Sequence, residues 1–251
     1  MLKASNLCIC GNCSLIYCNS NMTQVKTKSE IDKIKKACRA TDAIFESILK
    51  NIKKNKNLTE IELRDFILSE IKKRKLKPSF PPIVTGGKRA GNEIHPQSTD
   101  NKLEGFVIID FGVVYEKYMS DMTRTIYIGK PSVKDRDLYD MMLKSQKLGA
   151  NISVPGIHCA DVDLIVRDSL GEYKKYFIHT LGHGIGTRIH EFPRLYYKQT
   201  KPVLKDNMVI TIEPGIYIKN KLGIRIEDTC LITKRGCTTL TKSPKHLIII
   251  S

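Results

Sequence analysis

The sequence contains no tryptophan, and phenylalanine and tyrosine bring the aromatic share to only 7%. Single-stranded nucleic acids are gripped by aromatic side chains interleaved with basic ones, and no such interleaving occurs. No run approaches eighteen apolar residues, which argues against a membrane-spanning helix. The opening "MLKASNLCICGNCSLIYC" has one early lysine and a broken apolar stretch, a poor match to a secretory signal. A cytoplasmic location is therefore expected. Acidic residues are also few: 26 against 42 lysines and arginines, for a formal net charge of +16. Such an excess raises the question of a polyanionic partner. The lysines, however, concentrate in "IDKIKKACR", "KNIKKNKN" and "EIKKRKLKP", which read as polar faces of helices. A solvated surface accounts for them, and nucleic acid is not expected as a partner.

Several chemical motifs are missing as well. Structural zinc sites use thiolate pairs separated by a dozen or more residues. Cys8, Cys10, Cys13 and Cys18 instead crowd into eleven positions, with Cys38, Cys159, Cys230 and Cys237 scattered beyond. Residues 1–24 thus read as a short, reduced, Cys-rich segment. "TGGKRAG" lacks the spacing of a phosphate loop, and nothing matches the helical HExxH zinc motif.

At 251 residues the chain can hold one large domain with a sizeable core. "KSEIDKIKKACRATDAIFESILKNIKK" aligns Ile31, Ile34, Cys38, Thr41, Phe45, Ile48 and Ile52 on one helical stripe. Ser29 with Asp32, and Thr59 with Glu62, resemble capping boxes opening this helix and the next. A loop rich in proline and glycine follows, then the strand-like "GFVIIDFGVVY" and "DMTRTIYIG". The second half repeats the order: helices in "SVKDRDLYDMMLKSQKLGA" and "ADVDLIVRDSLGEY", then strands in "YFIHT", "NMVITIEPGIYI", "GIRIEDTCLIT" and "HLIIIS". An α+β fold of two pseudo-symmetric helix–helix–strands halves, about 28–129 and 132–251, is expected.

Two hairpins in this pattern place acids together. A turn between Tyr115 and Glu116 puts Asp110 opposite Asp121, and a turn centred on Asn220 puts Glu213 opposite Glu227. Opposed residues on antiparallel strands start about 5 Å apart, and like charges there repel unless a proton or cation intervenes. Asp110 ends the apolar run "FVIID", Glu213 follows "MVITI" and Glu227 sits inside "IRIEDT", positions where an unpaired carboxylate is costly. Two such pairs in one chain argue for metal. Four carboxylates exceed the needs of one tetrahedral zinc and suit a two-metal site of Mn, Fe, Co or Zn. "IHTLGHGIGTRIHEFP" supplies imidazole from at least one of His179, His183 and His190. Its glycines at 182, 184 and 186 break any helix and let the backbone pass close to a bulky centre.

The motifs "SDMTRT", "HTLGHGIGTRIHEFP", "ITIEPGIY" and "GIRIEDT", in this order, resemble the signatures of the pita-bread-fold dinuclear metallopeptidases, which include methionine aminopeptidases, aminopeptidase P and prolidase. The resemblance runs from about Val25 to the C-terminus, so residues 25–251 would form a pita-bread catalytic domain around a curved antiparallel sheet. Arg225 in "GIRIED" points to the Xaa-Pro branch. Carried across, the resemblance implies that Asp110 binds one ion, His183 and Glu213 the other, and Asp121 and Glu227 bridge them. Manganese is expected first, with cobalt, zinc or iron as alternatives. Glu213 would be the general base, while His95 and His190 would stabilise the tetrahedral intermediate. His95, His179, His190 and Arg225 would contact the substrate, a peptide with a free N-terminus, and a homodimer is compatible. Two further readings remain: a methionine aminopeptidase-like activity, and a non-catalytic pita-bread protein binding RNA or a protein partner through its lysines.

Overall fold

The computed structural model describes residues 25–55 and 57–251; the four clustered cysteines at 8, 10, 13 and 18 lie outside the described residues. The first helix, α1 (Lys28–Lys54), buries Ile31, Ile34, Cys38, Thr41, Phe45, Ile48 and Ile52, the stripe expected from its spacing. Its start is not the expected Ser29–Asp32 box. Thr27 and Glu30 form a reciprocal capping box two residues earlier, because Ser29 already has helical backbone and cannot serve as the half-in residue. The second helix, α2 (Glu60–Lys73), opens on the Thr59–Glu62 box as expected.

After α2 come β1 (Lys77–Pro78), β2 (Ile83–Gly86), β3 (Gly105–Phe111), β4 (Val113–Tyr115), β5 (Tyr118–Met119) and β6 (Met122–Ile128). Glu116 and Lys117 turn the chain between β4 and β5 with φ of +46° and +74°, the handedness that matches strand twist in a two-residue hairpin. The turn lies one residue later than expected. Asp110 therefore faces Thr123, not Asp121. A displacement of two pairing positions keeps every side chain on its face, so Asp110 and Asp121 still share one side of the hairpin.

The second half holds α3 (Val133–Ile152), α4 (Cys159–Ser169), β7 (Gly182–Gly184), β8 (Glu191–Leu195), β9 (Val209–Ile212), β10 (Gly215–Ile218), β11 (Leu222–Arg225), β12 (Asp228–Thr233), β13 (Gly236–Thr239) and β14 (Ile249–Ile250). "YFIHT" forms no strand. Arg167 of α4 donates to the carbonyls of Phe177 and His179, so these groups are unavailable to a ladder. The second hairpin has the expected register: Ile216 pairs with Ile224 and Ile212 with Asp228, which brings Glu213 level with Glu227.

One sheet has the order β13-β12-β9-β7-β8 and another β14-β6-β3-β2, antiparallel except for the β14–β6 pair. α1 and α2 bury Phe45, Ile48, Leu63 and Ile67 against Val107, Ile109 and Ile126 of the second of these sheets. α3 and α4 bury Met142, Val162 and Val166 against Ile210, Ile212 and Ile232 of the first. Each such side chain contributes roughly 1.5–3 kcal/mol of burial. The halves are less separate than the expected boundaries imply. β14 returns to pair with β6, and Ile31, Ile34 and Cys38 of α1 pack with Val209 and Leu231 of the other half.

Candidate metal centre

The two hairpins meet where β3 and β6 face the turnings from β9 to β10 and from β11 to β12. Asp110, Asp121, His183 and Glu227 are each at most 5% exposed, although three of them are carboxylates. Asp121, His183 and Glu227 each offer a ligand atom within 4.8 Å of the others. Nε2 of His183 lies 3.7 Å from Asp121 Oδ2 and 3.3 Å from Glu213 Oε1. Its Nδ1 is 3.1 Å from the Gly184 carbonyl. An N–H there fixes the ring so that Nε2 is the atom facing the acids.

Threonine hydroxyls hold two of the acids, one across the hairpins and one along its own chain. Thr123 donates to Glu227 Oε2 at 2.7 Å and accepts from Arg225 Nε at 3.1 Å. Thr211 donates to Glu213 Oε1 at 3.0 Å and accepts from the His183 amide at 3.0 Å. Behind them, the buried Arg124 donates to the carbonyls of Thr123 and Glu227 and pairs with Asp228 at 2.8 Å.

Arg225 is 1% exposed and reaches three parts of the site. It pairs with Asp110 Oδ2 at 2.6 Å, donates to the Ile94 carbonyl at 3.1 Å beside His95, and donates to the Tyr217 hydroxyl. It meets Glu227 indirectly, through Thr123. Tyr217 passes its own proton on towards His179 Nε2 at 3.1 Å, while His179 Nδ1 faces the Thr180 carbonyl at 2.8 Å. Thr123, Thr211 and Tyr217 are absent from the sequence-derived site. A signal for them existed: each lies an even number of residues from a carboxylate, hence on the same strand face.

Burial, reinforced by the neighbouring carboxylates, pushes Asp121 and Glu227 well above the usual carboxylate range. Burial also raises Asp110, although the Arg225 guanidinium opposes it. For Glu213 burial acts upward too, but the hydrogen bond and charge of His183 outweigh it and hold the acid at about 2. His190 lies edge-on to His183 with ring centroids 4.4 Å apart, and charge on that neighbour followed by burial pulls it down to about 3. Burial takes His179 down to about 4, and burial followed by Arg225 lowers His95. His95 and His190 stand exposed at the rim, with His179 half-buried between them and the sheet.

Of the four acids, Asp110 pairs with a guanidinium, so together they bring more carboxylates than the neighbouring cation balances. Asp110 Oδ1 and Glu227 Oε1 are buried without a hydrogen-bond partner, an expensive state for carboxylate oxygens. Cations resolve both problems, so the donor set of acids and one imidazole fits divalent ions. The first two glycines of "GHGIG", Gly182 and Gly184, serve a different purpose from the one expected. A Cβ on Gly182 would lie 2.0 Å from the Thr211 carbonyl, and one on Gly184 2.2 Å from the Phe192 carbonyl. They admit the adjoining strands, not the charged centre. A register shift between His183 and Gly184 accompanies this packing.

Comparison with known proteins agrees with this geometry. The sequence model of metallopeptidase family M24 matches residues 32–234. An Xaa-Pro dipeptidase of Pyrococcus furiosus is 41% identical over 229 residues, covering 89% of this chain and 65% of that protein. The solved Xaa-Pro dipeptidase of Bacillus anthracis superposes with a TM-score of 0.85 at 39% identity, covering 90% of this chain and 64% of that one. An X-Pro aminopeptidase structure from Thermotoga maritima gives a TM-score of 0.86 at 32% identity, covering 91% and 65%. This chain therefore spans about two thirds of the length of these relatives, and its fold is the pita-bread fold expected from its motifs. Among the described residues no helix is long and apolar enough to cross a membrane. The chain belongs to metallopeptidase family M24.

Proposed function

We propose that residues 25–251 form a catalytic unit that hydrolyses Xaa-Pro peptide bonds near a free N-terminus. The observation carrying this reading is the cluster of four acids around His183, three of them buried, in which two carboxylate oxygens lack a protein partner. The relatives named Xaa-Pro dipeptidase and X-Pro aminopeptidase support the choice of bond. Asp110, Asp121, His183, Glu213 and Glu227 would hold two divalent ions, manganese first. When bound, such ions acidify a water and polarise the scissile carbonyl.

The chain's own groups supply the rest. Glu213, ionised beside His183, takes the proton of the attacking water and delivers it to the leaving nitrogen. That delivery matters most for proline, whose tertiary amide leaves poorly without a proton. His95 and His190, as neutral imidazoles at the rim, donate to the developing oxyanion. His179 is fixed by Tyr217 and forms the wall beside the substrate, while Arg225 holds Asp110 and the backbone before His95.

The test is hydrolysis by protein supplied with manganese or cobalt, offered Xaa-Pro dipeptides, longer Xaa-Pro peptides and Met-Ala peptides. Cleavage of Xaa-Pro bonds, abolished by chelation, is expected. Cleavage of Met-Ala peptides alone would move the chain to a methionine aminopeptidase-like activity. Failure on every peptide, with no metal by elemental analysis, would sink both. Asp121→Ala is expected to lose nearly all turnover, and full activity in that variant would refute its bridging role.

A further inference from the structure

His190 sits exposed at the rim, on the turn between β7 and β8, yet its support is buried. The adjacent Glu191 is 6% exposed, and its Oε1 accepts the amides of Thr187 at 2.9 Å and Arg188 at 3.1 Å. The carboxylate thereby closes the backbone of 187–191 into a ring that contains His190. Both its oxygens lie 2.6 Å from the place a Cβ on Gly186 would take, so the glycine is what lets the carboxylate in. The other oxygen receives Lys26 Nζ at 2.5 Å, and Lys26 is itself 5% exposed.

Lys26 reaches this point from 165 residues away in sequence. Its amide donates to the Asn207 carbonyl at 2.8 Å, and Val25 bridges to Met208, just before β9. On the opposite side the Met119 amide donates to the Gly186 carbonyl at 2.8 Å. The turn bearing His190 is thus held by two separate stretches of chain, and a third, at Asn207 and Met208, anchors the stretch that carries Lys26. Charge-assisted hydrogen bonds between buried groups are the strong members of such a set.

We infer that the buried Lys26–Glu191 pair is a positioning clamp for His190, making the chain just before α1 part of the site's support. The kinetic consequence rests on the peptidase reading above; the geometric one does not. Four variants test it in the full chain: Lys26→Met, Lys26→Arg, Glu191→Gln, and the double variant Lys26→Met with Glu191→Gln. The first readout is the rate at which diethyl pyrocarbonate modifies His190 in metal-free protein, followed by peptide mass spectrometry with exposed His246 as internal reference. The second is the split between kcat and KM on an Xaa-Pro dipeptide.

Lys26→Met should shift His190 labelling several-fold and lower kcat on the order of ten-fold, with metal content unchanged and Lys26→Arg restoring both. Removing one partner takes the counter-charge from a buried group, so a single variant can fail to fold. The double variant removes both charges and keeps the test decisive. If it regains stability while His190 labelling stays shifted, the clamp stands. If labelling and kinetics return to wild type together with stability, the pair is merely structural and the inference falls. Wild-type protein inert towards every peptide, but with labelling shifted in the double variant, would sink the peptidase reading and leave the clamp.

Discussion

Thr123 shows how much a small residue decides in this site. Its hydroxyl gives its proton to Glu227 and takes one from Arg225, so a single oxygen orients an acid from one hairpin by an arginine that also holds the other. Thr123→Val keeps the shape and removes both bonds. We expect metal affinity to fall roughly 10–100-fold, as outer partners of metal ligands generally allow, with the circular dichroism spectrum unchanged; isothermal titration with manganese reads it. An unchanged affinity would mean that Glu227 is oriented by Arg124 and its backbone alone. The candidate acids were legible in the sequence because opposed carboxylates beside apolar runs conflict with burial, whereas the choice of His183 among three histidines came from the family resemblance. The Arg225–Asp110 pair was not legible, since it joins residues 115 apart and no local pattern specifies that meeting.

At the scale of elements, close approach of strands governs tolerance. Gly182→Ala would force a methyl to 2.0 Å from the Thr211 carbonyl, and a backbone atom cannot step aside as a flexible side chain can. The expected destabilisation is about 1–3 kcal/mol or more, measured by urea unfolding. A neutral result would show that β7 and β9 can separate freely. In α2, hydrogen bonds from Lys73 and then Arg74 hold Glu70 at about 2. A depressed carboxylate contributes stability above its unfolded value, and that contribution disappears as pH falls through the folded one. The urea midpoint should therefore drop between about pH 4.5 and 2 by more in wild type than in Glu70→Gln; parallel pH profiles would contradict it. Element types were readable from periodicity, whereas the first hairpin's register was misplaced by two. Periodicity determines a face, and only the left-handed turn at Glu116 and Lys117 determines the alignment.

For the molecule as a whole, the site is a point of tension between two halves that contribute their acids to it. Ions that bind only the folded protein should add about 2.7 kcal/mol per site at a free concentration a hundred times Kd. For a chain of this size that corresponds to roughly 5–10 °C in melting temperature. Calorimetry with manganese against chelator measures it, and no difference would argue that the buried acids share protons instead. The sequence alone determined the helix stripes, the α+β class and, through the resemblance of its motifs, the family, and it nominated the acids and histidines. The stripes, the class and the opposed acids rest on spacing along the chain, which local physics reads directly; the family rests on the resemblance of the motifs. The tertiary structure decided which groups meet: Arg225 with Asp110, Tyr217 with His179, Lys26 with Glu191, and β14 with β6 across the expected boundary. Each of those contacts spans a long stretch of chain, and partners at that separation are selected by packing of the whole fold.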